Sequence, residues 1–227
     1  MNAPTPSFHI GSLTRTEALL GTAAMARLQA SNVLVVGLGA VGGACVEAIA
    51  RSGVGRLWLV DGDAFEETNL NRQPFASYPV LGQPKADVTL QRLRAIAPAC
   101  AAHAERLRVT AANLPALLDR AHPDAVVDAI DDVPAKLALL GECLRRGLPV
   151  WSAMGAARKL DPSALRVGDI SETQVCPLAR RVRQGLRAAG FTRGVRCVWS
   201  CEAPLPCPEE APLGSFMPVT ATAGLLL

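Results

Sequence analysis

The sequence predicts an α/β fold: a doubly wound, mainly parallel Rossmann-like sheet with a C-terminal α+β extension. Three observations carry that expectation. Short apolar runs alternate with helix-length amphipathic stretches up to residue 153, the pattern of parallel strands joined by crossover helices. One run, NVLVV, passes directly into Gly37-Leu-Gly39-Ala-Val-Gly42 and then into a helical pattern. After Ala153 the alternation loosens, with no linker rich enough to act as a free hinge.

Residues 16–29 have helical spacing, with Leu19, Ala23 and Met25 near one face. NVLVV reads as a buried strand and GACVEAIARSG as a helix, with Glu47 and Arg51 paired i,i+4 on its outer side and Gly53 at its stop. RLWLVDGD is a second buried strand ending at Asp61, and residues 66–84 read as a loop without periodicity. Lys85 to Ala97 is helical and closed by Pro98. A strand near 103–109, a helix over 111–121, the strand DAVVDAI, a helix over 134–146 and the strand PVWSA complete the repeat. Beyond it, LDPSALRVGDI reads as turn and strand, and PLARRVRQGLRAAG as a proline-led helix. The expected organisation is a nucleotide-binding domain over 1–153 and an extension over 154–227 in the same compact unit. In such a sheet, ligands bind at the carboxyl ends of the strands where the winding reverses.

The 227 residues are half apolar and 19% charged, which is enough to bury a core and excludes general disorder. Aromatics at 4% argue against stacking platforms for single-stranded nucleic acid. The net charge of +3 is uneven: residues 1–150 carry 14 basic and 14 acidic side chains, residues 151–227 carry 9 and 6. Six arginines and no acid lie between Glu172 and Glu202, so a local basic face is expected. Arg180, Arg183 and Arg187 share one face of the helix there and are candidate contacts for a phosphate backbone, with a solvated face as the alternative.

The seven cysteines include no CxxC pair, so no structural zinc is expected. The N-terminus MNAPTPSFHIGSLTR has no apolar leader core, and a cytoplasmic location is expected. Glycines 37, 39, 42 and 43 interrupt the uncharged stretch Leu28–Val46, and prolines 212 and 218 interrupt the uncharged tail 211–227. Neither reads as a membrane span, and the tail reads as the start of an element the chain does not complete.

The glycine turn supplies chemistry as well as shape. Gly37 and Gly39 permit a tight turn and close backbone approach to phosphate, and Gly42 lets helix and strand pack. Amides at the helix start then attract an anion. Asp61 stands where a ribose hydroxyl would be bound. The motif alone does not separate NAD from ATP. The cations of 66–85 do, because Asn69, Arg72, Gln73 and Lys85 suit a triphosphate and a leaving pyrophosphate better than a dinucleotide. Asp131, read as ending the fourth strand beside the glycine turn, suits Mg²⁺ bridging phosphate oxygens. Each of these charges has an ordinary alternative as a surface group or helix cap.

In order and spacing, GLGAVGG, LVDGD, TNLNRQ, GQPKAD and VVDAIDD resemble the ThiF/MoeB-like adenylyltransferase family, which includes the ubiquitin-activating enzymes. The resemblance implies MgATP bound on this fold and AMP transferred to a carboxylate. It also implies that Asp61 binds ribose, that Asn69, Arg72 and Lys85 handle phosphates with Asp63 and Gln73 in the same nucleotide set, and that Asp131 binds Mg²⁺.

Within the family, three features resemble the tRNA threonylcarbamoyladenosine dehydratases. CxxC zinc ligands are missing, LTRTEALLG precedes the first strand, and MGAARKLDPSALRVGDISETQVCPLARRVRQGLR, CVWSCEAP and GSFMPVTATAGLLL follow the fifth. That branch implies a homodimer in which Arg15 reaches the partner's ATP, a tRNA substrate, and a possible sulfur-relay protein. Its reaction activates a side-chain carboxylate as an acyl-adenylate, which an internal nitrogen of the same side chain then closes, so no protein nucleophile is required. Two departures stand out: Asp132 follows Asp131, and relatives continue beyond the position of Leu227, so a truncated extension is expected. Asp131 is expected to keep the metal role and Asp132 to cap the helix. Cys176, before Pro177 at a helix start, reads as a small polar cap or a reactive thiolate. Cys197, Cys201 and Cys207 read as core or surface residues. The alternatives are an adenylyltransferase for the C-terminus of a ubiquitin-like sulfur carrier, a non-catalytic nucleotide-binding scaffold and, third, an NAD dehydrogenase.

Overall fold

The computed structural model describes residues 10–208 and 210–227, so most of the N-terminal segment read above, His9 included, lies outside the described residues. Two helices, α1 (Ile10–Leu20) and α2 (Thr22–Ala30), replace the single helix expected over 16–29. Gly21 parts them at φ 78°, a left-handed conformation in which the helical ladder stops.

Then β1 (Asn32–Val36), α3 (Ala40–Arg51), β2 (Arg56–Val60), α4 (Lys85–Ile96), β3 (Ala101–Glu105), α5 (Leu114–Ala121), β4 (Ala125–Asp128), α6 (Val133–Arg146) and β5 (Val150–Ala153) alternate as the pattern requires. Arg51 donates to Glu47 across one turn of α3 at 2.6 and 2.8 Å. The strand expected over 103–109 lies at 101–105. It is an edge strand with no buried residue, so it carries little apolar signal. The aperiodic loop 66–84 holds two 3₁₀ turns, Glu67–Asn69 and Tyr78–Val80.

The last third contributes β6 (Leu165–Asp169), α7 (Pro177–Ala188), β7 (Arg196–Ser200) and α8 (Met217–Leu225). One of these corrects the sequence reading. β7 was not expected. It enters the sheet between β5, which it parallels, and β6, which runs antiparallel at the edge. Four of its five residues are buried, so alternation is missing. The tail element is helix α8, packed against α3, where a Cβ on Gly224 would meet the Val41 carbonyl oxygen at 2.2 Å.

Among the described residues the strand order is β3-β2-β1-β4-β5-β7-β6. One face is covered by α5, α6 and α7 through Leu114, Leu118, Leu139, Leu140, Val182 and Leu186. The other packs against α3 and α4 through Cys45, Val46, Ala50 and Leu93. Burial of both faces is what makes the central strands read as continuous apolar runs.

Candidate active site

The winding reverses between β1 and β4, and their carboxyl ends open a crevice there. The glycine turn forms its floor. Gly37 takes φ 92°, and a Cβ on it would lie 2.6 Å from the Ala129 carbonyl oxygen. A Cβ on Gly42 would lie 1.8 Å from the Gly37 carbonyl oxygen, so only glycine lets α3 begin this close to the turn. Asp61, immediately after β2, braces the turn: one carboxylate oxygen accepts from Leu38 N at 2.7 Å, the other from Asp63 N at 2.8 Å.

Above the turn lies a cavity of about 730 Å³. Gly37, Gly39, Asp61 and Asp63 line it from the strand ends, Arg72, Gln73 and Lys85 from the 3₁₀ loop and the start of α4, and Asp131 from the β4–α6 connection. Arg72 Nη1 donates to Thr68 O (2.7 Å) and Asn71 Oδ1 (3.0 Å). Lys85 is buried, its Nζ 3.6 Å from Asp63 Oδ2, while Arg108 holds the other Asp63 oxygen at 2.6 Å. Gln73 Oε1 is buried without a hydrogen-bond partner among the described residues, and the carboxamide lies beside Gly39.

Three expected site residues stand elsewhere. Asn69 is not in the cavity lining; its Oδ1 accepts from Glu66 N at 3.2 Å and shapes the loop that carries Arg72. Gly42 acts from beneath, by packing. Arg15 is exposed on α1, outside the cavity lining of the single chain.

Asp131 does not end the fourth strand, as the sequence suggested. β4 stops at Asp128, and Asp131 lies three residues on, exposed, with no hydrogen-bond or ion-pair partner among the described residues. The adjacent Asp132 caps α6, accepting from Ala135 N at 2.9 Å, as expected.

The strand end itself carries a network the sequence reading missed. Asp128 and Lys136 are both fully buried and 2.6 Å apart. Ser152 Oγ donates to Asp128 at 2.6 Å, Lys136 Nζ donates to Ala153 O at 3.0 Å, and Asp128 Oδ1 accepts from Ile130 N at 3.1 Å. The network ties β4, α6 and β5 together directly under the Asp131 loop. Its signal was a lysine on the apolar face of a helix, spaced with Leu139, Leu140 and Cys143.

Toward the C-terminal extension, Arg158, Lys159 and Arg181 also line the cavity, none of them foreseen as site residues. Lys159 is buried, and its ammonium donates to Glu202 O. Arg181 reaches the cavity from α7. Arg183 corrects the expectation of a free phosphate contact: it is half-buried and donates to the Thr173 carbonyl at 2.9 Å and to its hydroxyl, so it is tied to the protein. Arg180 and Arg187 are exposed. A second concavity of about 520 Å³ includes Arg180 and Arg183 and shares Cys176, Pro177 and Arg181 with the first.

Cys176 occupies the N-cap of α7, but it is buried against Gly155 and makes no capping bond, which corrects the polar-cap reading. Burial pushes the Cys45, Cys143 and Cys197 thiols up to about 12 and Cys100 to about 11. All seven cysteines are free. Among the described residues no three His, Cys, Asp or Glu side chains cluster as a metal site, and no helix is long and apolar enough to cross a membrane.

Comparison with known proteins places these features in context. Residues 13–226 match the model of the ThiF family. The chain is 40% identical over 197 residues to a tRNA threonylcarbamoyladenosine dehydratase of Bacillus subtilis, covering 87% of this chain and 77% of that protein. The crystal structure of the Escherichia coli tRNA N6-threonylcarbamoyladenosine dehydratase in complex with AMP superposes with a TM-score of 0.91 at 33% identity, covering 99% of this chain and 94% of that one. That enzyme has also been solved in complex with ATP. A sulfur carrier protein adenylyltransferase of Thermus thermophilus is 33% identical over 143 residues, covering 63% of this chain and 51% of that protein.

Proposed function

The chain belongs to the ThiF family, and from that premise we propose that it is an ATP-dependent tRNA threonylcarbamoyladenosine dehydratase. One observation carries the choice of branch. The dehydratase similarities extend over 72–99% of the chain, and the 99% of the AMP complex includes the C-terminal extension, whereas the sulfur-carrier adenylyltransferase matches 63%. That extension supplies Arg158, Lys159 and, from α7, Pro177, Leu178 and Arg181 to the cavity wall.

The proposed reaction uses the crevice as follows. ATP lies on the glycine turn with its phosphates toward Arg72 and Lys85, and Asp61 and Asp63 are at the ribose end. The turn fits such a group, because Gly37 and Gly42 let α3 begin directly against the turn, which brings the start of the helix at Gly39 and Ala40 to the cavity. A carboxylate oxygen of the threonylcarbamoyl side chain attacks the α-phosphorus, and pyrophosphate leaves. Arg72 and Lys85 stabilise the charge that develops on it. An internal nitrogen of the same side chain then attacks the activated carbonyl and AMP departs, carrying the oxygen that is formally lost as water. Holding both reacting groups in one side chain gives the second step its effective molarity. Asp131, a carboxylate on the cavity wall with no partner among the described residues, fits a hard cation and would hold Mg²⁺, which would supply charge neutralisation on the phosphates.

The reading includes a homodimer. Arg15 lies outside the cavity of its own chain, and the neighbouring Leu19 is 83% exposed on the same helix, which supports a second copy covering α1 and receiving Arg15. Arg180 and Arg187 would contact the tRNA backbone. The seven free thiols support the cytoplasm, where tRNA and ATP are both available.

The test is mass spectrometry of nucleosides from tRNA incubated with the protein and MgATP. Loss of one water from threonylcarbamoyl-adenosine is expected. ATP–pyrophosphate exchange that requires a ubiquitin-like protein, and ignores tRNA, would overturn the reading.

A further inference from the structure

Two guanidinium groups of the cavity have neither a task in the chemistry proposed above nor a partner among the described residues. Arg158 is half-buried and takes φ 59°, a left-handed conformation that is uphill for an arginine. The surrounding backbone enforces it: Arg158 N donates to Gly214 O at 2.8 Å, and Leu205 N donates to Arg158 O at 2.9 Å. Glu202 fixes the next residues, accepting from Leu160 N and Asp161 N at 3.0 Å. Arg181 lies where the nucleotide cavity meets the second concavity along α7.

The other cations of the cavity have partners. Arg72 is held by Thr68 and Asn71, Lys85 and Arg108 share Asp63, and Lys159 is held by Glu202. Neither the Arg158 nor the Arg181 guanidinium has a hydrogen-bond or ion-pair partner among the described residues. A strained, clamped backbone presenting an unpaired guanidinium to a cavity is a pre-organised anion site.

We propose that Arg158, on the wall of the nucleotide cavity, and Arg181, where that cavity meets the α7 concavity, supply an oxyanion-binding subsite for the polynucleotide substrate. The proposal rests on the dehydratase reading and adds which residues hold the substrate's own anion. That anion is the phosphodiester flanking the reacting nucleoside or the side-chain carboxylate; both offer paired oxygens to a guanidinium fork.

The experiment compares wild type, Arg158→Asn and Arg181→Gln in equilibrium binding to two anticodon stem-loop RNAs of one sequence. One RNA carries adenosine and the other threonylcarbamoyl-adenosine; ATP is titrated separately, and urea unfolding is recorded. Asparagine tolerates the left-handed conformation, so Arg158→Asn removes the charge without lowering the urea midpoint. Each variant is expected to weaken RNA binding by about tenfold, the loss of one charge-assisted contact, with ATP affinity unchanged. Loss for both RNAs assigns the phosphodiester, and loss confined to the modified RNA assigns the carboxylate. Unchanged binding of both, or an equal fall in ATP affinity, overturns the subsite. A wild-type protein that binds neither RNA overturns the dehydratase reading itself.

Discussion

Replacing Lys136 by methionine removes an ammonium group from beneath the site while nearly preserving the side-chain volume. In the native chain Lys136 and Asp128 are both fully buried and 2.6 Å apart, so the variant leaves the Asp128 carboxylate with only Ser152 Oγ and Ile130 N as donors. Breaking a buried pair by removing one partner costs about 3–5 kcal/mol. With a urea slope of about 2 kcal/mol/M, the unfolding midpoint should fall by about 1.5–2.5 M. Urea titration followed by circular dichroism measures this directly. The double variant Asp128→Asn, Lys136→Met removes the orphaned charge and should be less destabilised than the two single costs added together. Asp128 also holds Ile130 N, one residue before Asp131, so ATP–pyrophosphate exchange should fall under conditions where Lys136→Met is still folded. A loss below about 1 kcal/mol, or strict additivity in the double variant, would refute the argument that this pair is a coupled, dry support for the Asp131 loop.

Other substitutions separate packing from chemistry. Gly42→Ala places a Cβ 1.8 Å from a carbonyl oxygen, so α3 must shift; we expect about 1–3 kcal/mol of destabilisation and a clear loss of ATP affinity by calorimetry. Asp131→Ala should abolish exchange with stability changed by less than about 0.5 kcal/mol, whereas Asp132→Ala should cost about 1 kcal/mol of stability as a lost cap and leave exchange largely intact. Mixing Arg15→Ala and Asp131→Ala chains should restore part of the activity that each lacks alone; two dimeric but inactive variants that do not complement would show that Arg15 does not act across the dimer. Replacing the exposed Arg180 and Arg187 by Gln should flatten the slope of log tRNA affinity against log salt by about one to two units, and an unchanged slope would return them to an ordinary solvated face.

The first 153 residues were legible because their signals are local. Runs such as NVLVV and RLWLV sit in strands buried on both faces, and the glycine turn follows one such run and opens a helical pattern, so the sheet and its floor were legible from local spacing. Of the cavity residues, Asp61 was legible because it directly follows β2, whereas Arg72, Lys85 and Asp131 were legible from the charge a triphosphate demands and from the TNLNRQ, GQPKAD and VVDAIDD resemblance. What tertiary structure decided lies at long range. β7 became a strand only because β5 and β6 offer it both edges, and the tail became α8 because α3 presents a surface that Gly224 can approach. Lys136 became a structural cation because three elements close over it, and Arg183 was taken out of the basic face by a threonine ten residues earlier. Arg158 and Arg181 reached the nucleotide cavity from a region with no nucleotide motif. Periodicity and turn chemistry report which face of an element is buried. They do not report which distant element buries it, and the partner of a charged side chain is set by that second fact.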